Sequence, residues 1–86
     1  MGKLSRLPAR KVIQKLKSIG FTETHQRGSH LYLKSKDGMK IVTIPIHGSK
    51  NIPIGTLYNI IVRQAGLSIN EFNNLWVSNH IDYDTL

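Results

Sequence analysis

The sequence of 86 residues contains no cysteine. This absence excludes disulfides, thiolate metal ligands and a cysteine nucleophile, and it argues against a disulfide-stapled secreted scaffold. Long apolar runs are missing too, because the longest, such as Ile60-Ile61-Val62, fall far short of a membrane span of roughly 20 residues. The first residues, MGKLSRLPAR, contain no apolar signal-peptide core. We expect a small cytoplasmic protein with one domain over residues 1–76 and a tail over residues 77–86.

Acidic residues are scarce: five Asp and Glu stand against twelve Lys and Arg, which gives a net charge of +7. All twelve basic residues lie between Lys3 and Arg63, where only Glu23 and Asp37 oppose them. Such a charge distribution attracts a phosphate backbone or an acidic protein partner. The few acids offer no paired carboxylates, and the spacing of the four histidines matches no zinc motif. We therefore predict no metal site and no cofactor.

Apolar periodicity predicts two main helices. The first should begin at Pro8 and end before Gly20, which suits a left-handed position after a helix. Its apolar stripe consists of Val12, Ile13, Leu16 and Ile19, and Lys11, Lys15 and Lys17 should point to solvent. The second helix starts near Gly55 and buries Leu57, Ile60, Ile61 and Ala65. Ser68 and Glu71 form a capping box that predicts a short third helix.

Three strands are predicted between the main helices, over residues 21–26, 30–35 and 40–46. In the second strand Leu31 and Leu33 point one way, whereas His30, Tyr32 and Lys34 point the other. Asp37-Gly38 predicts a tight hairpin turn. The order α-β-β-β-α favours an α+β fold in which both helices cover one face of a three-stranded antiparallel sheet. This order is that of the double-stranded-RNA-binding domain.

His30 follows a predicted Gly28-Ser29 turn and opens the exposed face of the second strand. Histidine has an ordinary pKa of about 6.5, so it can serve as base and as acid near neutrality. Because RNA carries its own nucleophile in the 2′-hydroxyl, a positioned imidazole can cleave it without a metal. Tyr32 is a candidate platform for a base or an ordinary surface aromatic. Candidate cations for the phosphate are Arg27, Lys34, Lys36 and Lys50.

Two segments, QRGSHLYL and TIPIHGSKNIPIGTLYNIIVRQAGLS, resemble the HicA (YcfA-like) toxins of HicAB toxin–antitoxin modules. The resemblance runs from about Arg10 to Phe72. It implies a double-stranded-RNA-binding-like fold and a metal-independent mRNA interferase activity. It also implies neutralisation by a HicB antitoxin, a partner with an acidic surface, and a monomeric toxin in the absence of that partner.

The resemblance carries over to individual residues. It implies that His30 is the catalytic residue and that Gly28 and Ser29 form the turn that presents it; Ser29 is also expected to bind RNA. His47 matches a histidine of the second motif and is expected to bind substrate or to be structural, while His25 is set aside. The second helix has one residue more than the family pattern near Val62. We expect this insertion to rotate the residues after it by about 100°.

Two other functional classes compete with a toxin endoribonuclease. A non-catalytic RNA-binding module would use the same fold and charge without chemistry. A small adaptor for an acidic protein would explain the charge and leave Gly-Ser-His without a role. The activity of a His30→Ala variant distinguishes these alternatives.

Overall fold

The computed structural model describes residues 3–48 and 50–75. Its elements in chain order are α1 (Ala9–Lys17), β1 (Thr22–Arg27), β2 (His30–Lys34), β3 (Ile41–Pro45), α2 (Ile54–Tyr58), a π-helical turn (Asn59–Gln64) and α3 (Ile69–Asn73). The strands form one antiparallel sheet in the order β1-β2-β3. The predicted α+β fold is confirmed, and it is consistent with a double-stranded-RNA-binding-like architecture. The predicted tail, residues 77–86, lies outside the described residues.

One apolar core joins the sheet to the helices. Alternation is confirmed in β2 and β3, whose buried members are Leu31, Leu33, Val42 and Ile44. They pack with Val12 and Leu16 of α1 and with the predicted face of the second helix: Leu57, Ile60, Ile61 and Ala65. Because the buried side chains of these helices all pack against the same side of the sheet, the helices do not cover the opposite face. We call that uncovered face the open face of the sheet. Within the described residues, no helix is long and apolar enough to cross a membrane.

Helix α1 starts one residue later than predicted, because Pro8 has an extended conformation (φ −71°, ψ 156°) and caps the helix. The helix ends at Lys17, earlier than predicted, and a turn over residues 18–20 follows. Gly20 has a φ of +103°, and the amides of Gly20 and Phe21 donate to the carbonyls of Lys17 and Leu16. Ile19 does not continue the apolar stripe and is 38% exposed, because the chain has already left the helix there.

Lys15 does not point to solvent as predicted. Its ammonium lies 4.6 Å from the centroid of the Phe72 ring and donates to the Phe72 carbonyl oxygen at 3.4 Å. Burial, with a smaller contribution from the neighbouring charge of Lys11, lowers the pKa of Lys15. The reason is the short helix α3, whose capping box is present as predicted. Ser68 accepts from the Glu71 amide and Glu71 accepts from the Ser68 amide, and this helix brings Phe72 against α1.

The hairpin loop between β2 and β3 is longer than the predicted tight turn. Only Gly38 has a positive φ, +76°, so Asp37 does not adopt the left-handed conformation that a two-residue Asp-Gly turn needs. The Gly38 amide instead donates to the Ser35 carbonyl at 2.9 Å. The carboxylate of Asp37 accepts from the Ser35 hydroxyl at 2.7 Å and from the Met39 amide at 2.9 Å.

The second main helix widens into a π-helical turn at the position of the extra residue. The Ala65 amide donates to the Ile60 carbonyl at 2.8 Å, five residues back. This bond spans one residue more than an α-helical bond. Ala65 is buried with Leu57 and Ile61, as predicted for this helix face. The expected rotation of the later residues relative to the family pattern stays a prediction.

Candidate active site on the open face of the sheet

The strand register arranges the open face of the sheet in three rows. Residues paired directly across an antiparallel sheet share a face. The three rows that lie on the face opposite the core are Arg27–His30–Pro45, His25–Tyr32–Thr43 and Thr22–Lys34–Ile41. The predicted placement of His30, Tyr32 and Lys34 on one exposed face is confirmed. Arg27 joins them as the cross-strand neighbour of His30.

A two-residue turn presents His30. Gly28 has a φ of +56° and Ser29 does not have a positive φ, which is the pattern of a type II′ hairpin turn. A Cβ atom at Gly28 would meet nothing within 4 Å, so glycine is needed there for its backbone conformation and not for space. The Ser29 carbonyl accepts from the Ile46 amide at 2.6 Å. This bond ties the turn to the chain that follows β3.

His30 lines a pocket at the edge of the open face, which we call the His30 pocket. Its volume is about 400 Å³. The sheet contributes Thr43 and Pro45, and the second helix contributes Thr56, Asn59, Ile60 and Gln64, with His47 and Pro53 from the connection between them. Two imidazoles and several neutral polar groups therefore surround one cavity large enough for part of a nucleotide.

The amide side chain of Gln64 forms one wall of the His30 pocket. Its Oε1 accepts from the Thr43 amide at 2.8 Å, on the outer edge of β3. The π-helical turn ends at Gln64 and so determines which way this side chain faces. Sequence analysis missed this role, although Gln64 belongs to the Gln-Ala-Gly motif that carried the family resemblance.

His25 was set aside in the sequence analysis, yet it contacts Tyr32. The two rings stack with centroids 4.4 Å apart and an angle of 5° between their planes. A bulge between Glu23 and His25 shifts the register of β1 and aligns His25 with Tyr32. The Thr24 hydroxyl lies 3.1 Å from Nδ1 of His25 and 3.3 Å from the Tyr32 carbonyl. The alternation of apolar residues gives no signal for this bulge, since all of β1 is exposed.

The remaining predicted cations lie at different distances from His30. Lys50 and His47 line a second cavity of about 530 Å³ next to the His30 pocket. Lys34 ends β2, roughly 13 Å along the strand from His30 at 3.3 Å per residue. Lys36 lies farther on, in the hairpin loop, and lines a separate cavity with Phe21 and Lys40. The structure thus brings Arg27, His47 and Lys50 towards His30 and does not bring Lys36 there.

Among the described residues, no three His, Asp or Glu side chains come together as a metal site would require. The groups around His30 are imidazoles, amides, hydroxyls and a guanidinium. Imidazoles transfer protons, and the basic side chains can neutralise a phosphate that binds beside them.

The fold and this pocket define a small basic α+β protein with histidines at an exposed sheet edge, and its architecture is consistent with a double-stranded-RNA-binding-like fold. No curated protein matches the sequence significantly. The family model described as "HicA toxin of bacterial toxin-antitoxin" matches residues 9–67, well over half of the chain. The chain belongs to the HicA toxin family. It is a toxin of a toxin–antitoxin system, and such a toxin has an antitoxin partner.

Proposed function

We propose that this toxin is an endoribonuclease that cleaves mRNA in the cytoplasm without a metal ion, with His30 as a catalytic residue. The observation that carries the proposal is the position of His30, exposed on the open face and lining a pocket that it shares with a second imidazole and several neutral polar side chains. Proton transfer by one positioned histidine contributes about 10²- to 10⁴-fold to a rate. The family membership of the chain supports the same reading.

The open face is proposed to hold the RNA. Arg27 lies directly beside His30 in the sheet and is suited to a phosphate oxygen. Tyr32, with His25 stacked on it, offers an aromatic surface two residues along the strand, where the base of a neighbouring nucleotide can stack. Lys34 continues the same face, and Lys50 lies beside His47. A strand of RNA along the open face would therefore pass from basic and aromatic side chains to the His30 pocket.

The test compares cleavage of a defined RNA by the wild type and by His30→Ala, each with and without EDTA. We expect His30→Ala to lose about 10²- to 10⁴-fold in activity and EDTA to have no effect on the wild type. His80→Ala is the matched control, since this histidine lies beyond the residues that match the family. Circular dichroism and thermal unfolding of each variant separate lost chemistry from lost structure.

Three results would contradict the proposal. Undiminished cleavage by folded His30→Ala would remove this residue from the reaction, and loss of wild-type activity with EDTA would require a metal. Binding of RNA by both proteins with cleavage by neither would instead identify a non-catalytic RNA-binding module.

We further propose that the antitoxin is of the HicB type and covers the His30 pocket with an acidic surface. The net charge of +7 supports this complementarity. The folded His30→Ala protein should bind the antitoxin as tightly as the wild type, whereas Arg27→Glu should bind it more weakly by isothermal titration calorimetry. Equal affinity of the wild type and Arg27→Glu would place the antitoxin elsewhere.

A further inference from the structure

His47 is held beside His30 by the backbone. The Ile46 amide donates to the Ser29 carbonyl at 2.6 Å, so the residues that immediately precede the two histidines are bonded to each other. His30 pairs with Pro45 in the sheet, and His47 follows Pro45 by two residues. His47 therefore lies just beyond the end of β3, and both histidine side chains line the same pocket.

The shared pocket suits a phosphodiester that contacts both rings. A proton-transfer group must come within about 2.6–3.2 Å of the oxygen it serves. Two imidazoles that line one pocket can satisfy this condition at different oxygens of one phosphate. The other polar groups of the His30 pocket are neutral side chains without an ionisable proton at neutral pH, those of Thr43, Thr56, Asn59 and Gln64. Among the residues lining the pocket, His47 is thus the partner available for acid–base work.

Cleavage of RNA through its own 2′-hydroxyl requires two proton transfers. A base removes the 2′-hydroxyl proton while the 2′-oxygen forms a bond to phosphorus. The bond between phosphorus and the 5′-oxygen breaks, its electron pair stays on that oxygen, and an acid supplies the proton that makes it a hydroxyl. The products are a 2′,3′-cyclic phosphate and a 5′-hydroxyl end. One histidine that works alone must serve both oxygens, whereas two can act at once.

We infer that His47 is a second catalytic residue, so that one of the two histidines takes the 2′-hydroxyl proton and the other protonates the leaving 5′-oxygen. This inference rests on the proposed ribonuclease function. Both side chains are exposed, so exchange with water restores their protonation states after each turnover. The lysine next in the chain, Lys50, would stabilise the phosphate and not the proton transfer.

The test uses an RNA with sulfur in place of the 5′-bridging oxygen at the cleaved bond. A thiolate leaves without being protonated, so this substrate removes the need for the acid but not for the base. On ordinary RNA, His30→Ala and His47→Ala should each lose about 10²- to 10⁴-fold in activity. On the sulfur substrate, one of the two variants should recover most of the wild-type rate and the other should not. The variant that recovers identifies the acid.

The dependence of kcat/KM on pH gives a second readout. In the wild type, kcat/KM should rise with pH along one limb of the profile and fall along a second limb. Each single histidine variant should lose one of these two limbs. His47→Gln, which keeps a hydrogen-bonding side chain but cannot transfer a proton, should be as defective as His47→Ala. The inference is overturned if His47→Gln retains activity, or if His47→Ala keeps both limbs of the pH profile and changes only KM. It is also overturned if the sulfur-containing substrate restores the rate of both alanine variants or of neither. Failure of the wild type to cleave RNA would instead overturn the proposed ribonuclease function.

Discussion

The two hairpin connections of the sheet differ in what their polar side chains contact. In the loop between β2 and β3, the carboxylate of Asp37 and the hydroxyl of Ser35 bind each other and the amides of Met39 and Lys40. Between β1 and β2, the two residues Gly28 and Ser29 reverse the chain, and the only side chain that contacts the turn by a hydrogen bond within the described residues is Gln26, whose amide donates to the Gly28 carbonyl at 3.1 Å. Among the described residues, no hydrogen bond engages the imidazole of His30 or the guanidinium of Arg27.

The loop between β2 and β3 uses its polar side chains to hold its own conformation. The Gly28-Ser29 turn instead leaves the flanking side chains of Arg27 and His30 exposed to solvent. Polar groups that satisfy one another are not available to a ligand, whereas those beside the minimal turn face solvent and the His30 pocket. The comparison predicts that changes at the first turn affect activity more than stability. Changes at the second loop should affect stability alone.

The largest expected effect comes from a matched pair of glycine variants. Gly28 and Gly38 both have positive φ values, +56° and +76°, and a Cβ atom at either would meet no close contact. Each alanine variant should therefore lose about 1–2 kcal/mol of stability from backbone strain. Only Gly28→Ala should also lose cleavage activity, by about 10- to 100-fold, because it moves His30. Urea denaturation and RNA cleavage measure the two effects, and equal activity of the two variants would refute the distinction.

An effect of comparable size is expected at Tyr32, between the two connections. Removal of its ring by Tyr32→Ala should weaken RNA binding by about 1–3 kcal/mol, or about 5- to 150-fold, if a base stacks there. Tyr32→Phe keeps the ring and serves as the control, with affinity close to that of the wild type. Fluorescence anisotropy with a labelled RNA measures both. If Tyr32→Phe loses as much affinity as Tyr32→Ala, the hydroxyl and not the aromatic face is what binds.

Variants of Gln64 test whether its hydrogen bond to β3 contributes to the stability of the fold. Gln64→Ala leaves the half-buried Thr43 amide without its acceptor and should cost about 1–3 kcal/mol of unfolding free energy. Gln64→Glu retains an acceptor oxygen and should lose less. Denaturant unfolding compares the three proteins. Wild-type stability in Gln64→Ala would show that this bond does not hold the edge strand.

The smallest effect is expected at Asp37. Hydrogen bonds from the Met39 amide and the Ser35 hydroxyl lower the pKa of Asp37 below its usual 3.8. The carboxylate therefore stabilises the fold above pH 3.8, and this contribution disappears as the pH falls through the lowered pKa. Asp37→Asn should unfold at a slightly lower temperature than the wild type at pH 7, and this difference should shrink as the pH falls below 3.8. Its cleavage activity should be unchanged, and a Tm difference that does not depend on pH would contradict this account.

Features that depend on local sequence were predictable. The alternation in β2, the apolar face of the second helix and the capping box of α3 all involve residues close together in the chain, and each is confirmed. The exposure of His30 followed from the same alternation. Its function as a catalytic residue stays a prediction, because no local pattern distinguishes a reactive histidine from an idle one.

Features that depend on distant contacts were not predictable. Lys15 lies over Phe72, which is 57 residues away in the chain, so its helical position alone suggested solvent. The bulge that stacks His25 on Tyr32 lies in β1, where no residue is buried. The sequence of β1 therefore has no apolar alternation whose interruption could reveal the bulge. The meeting of His30 and His47 required the pairing of β2 with β3 and the bond from Ile46 to Ser29.

The π-helical turn at Asn59–Gln64 also makes the chain tolerant of a change in length. A one-residue insertion in a regular helix would redirect every later side chain, but here the wide turn confines the change to a single stretch. Deletion of one residue from this segment should convert it to an ordinary α-helix and leave Leu57 and Ala65 in the core. The same deletion should change the wall of the His30 pocket that Gln64 forms at the end of this turn.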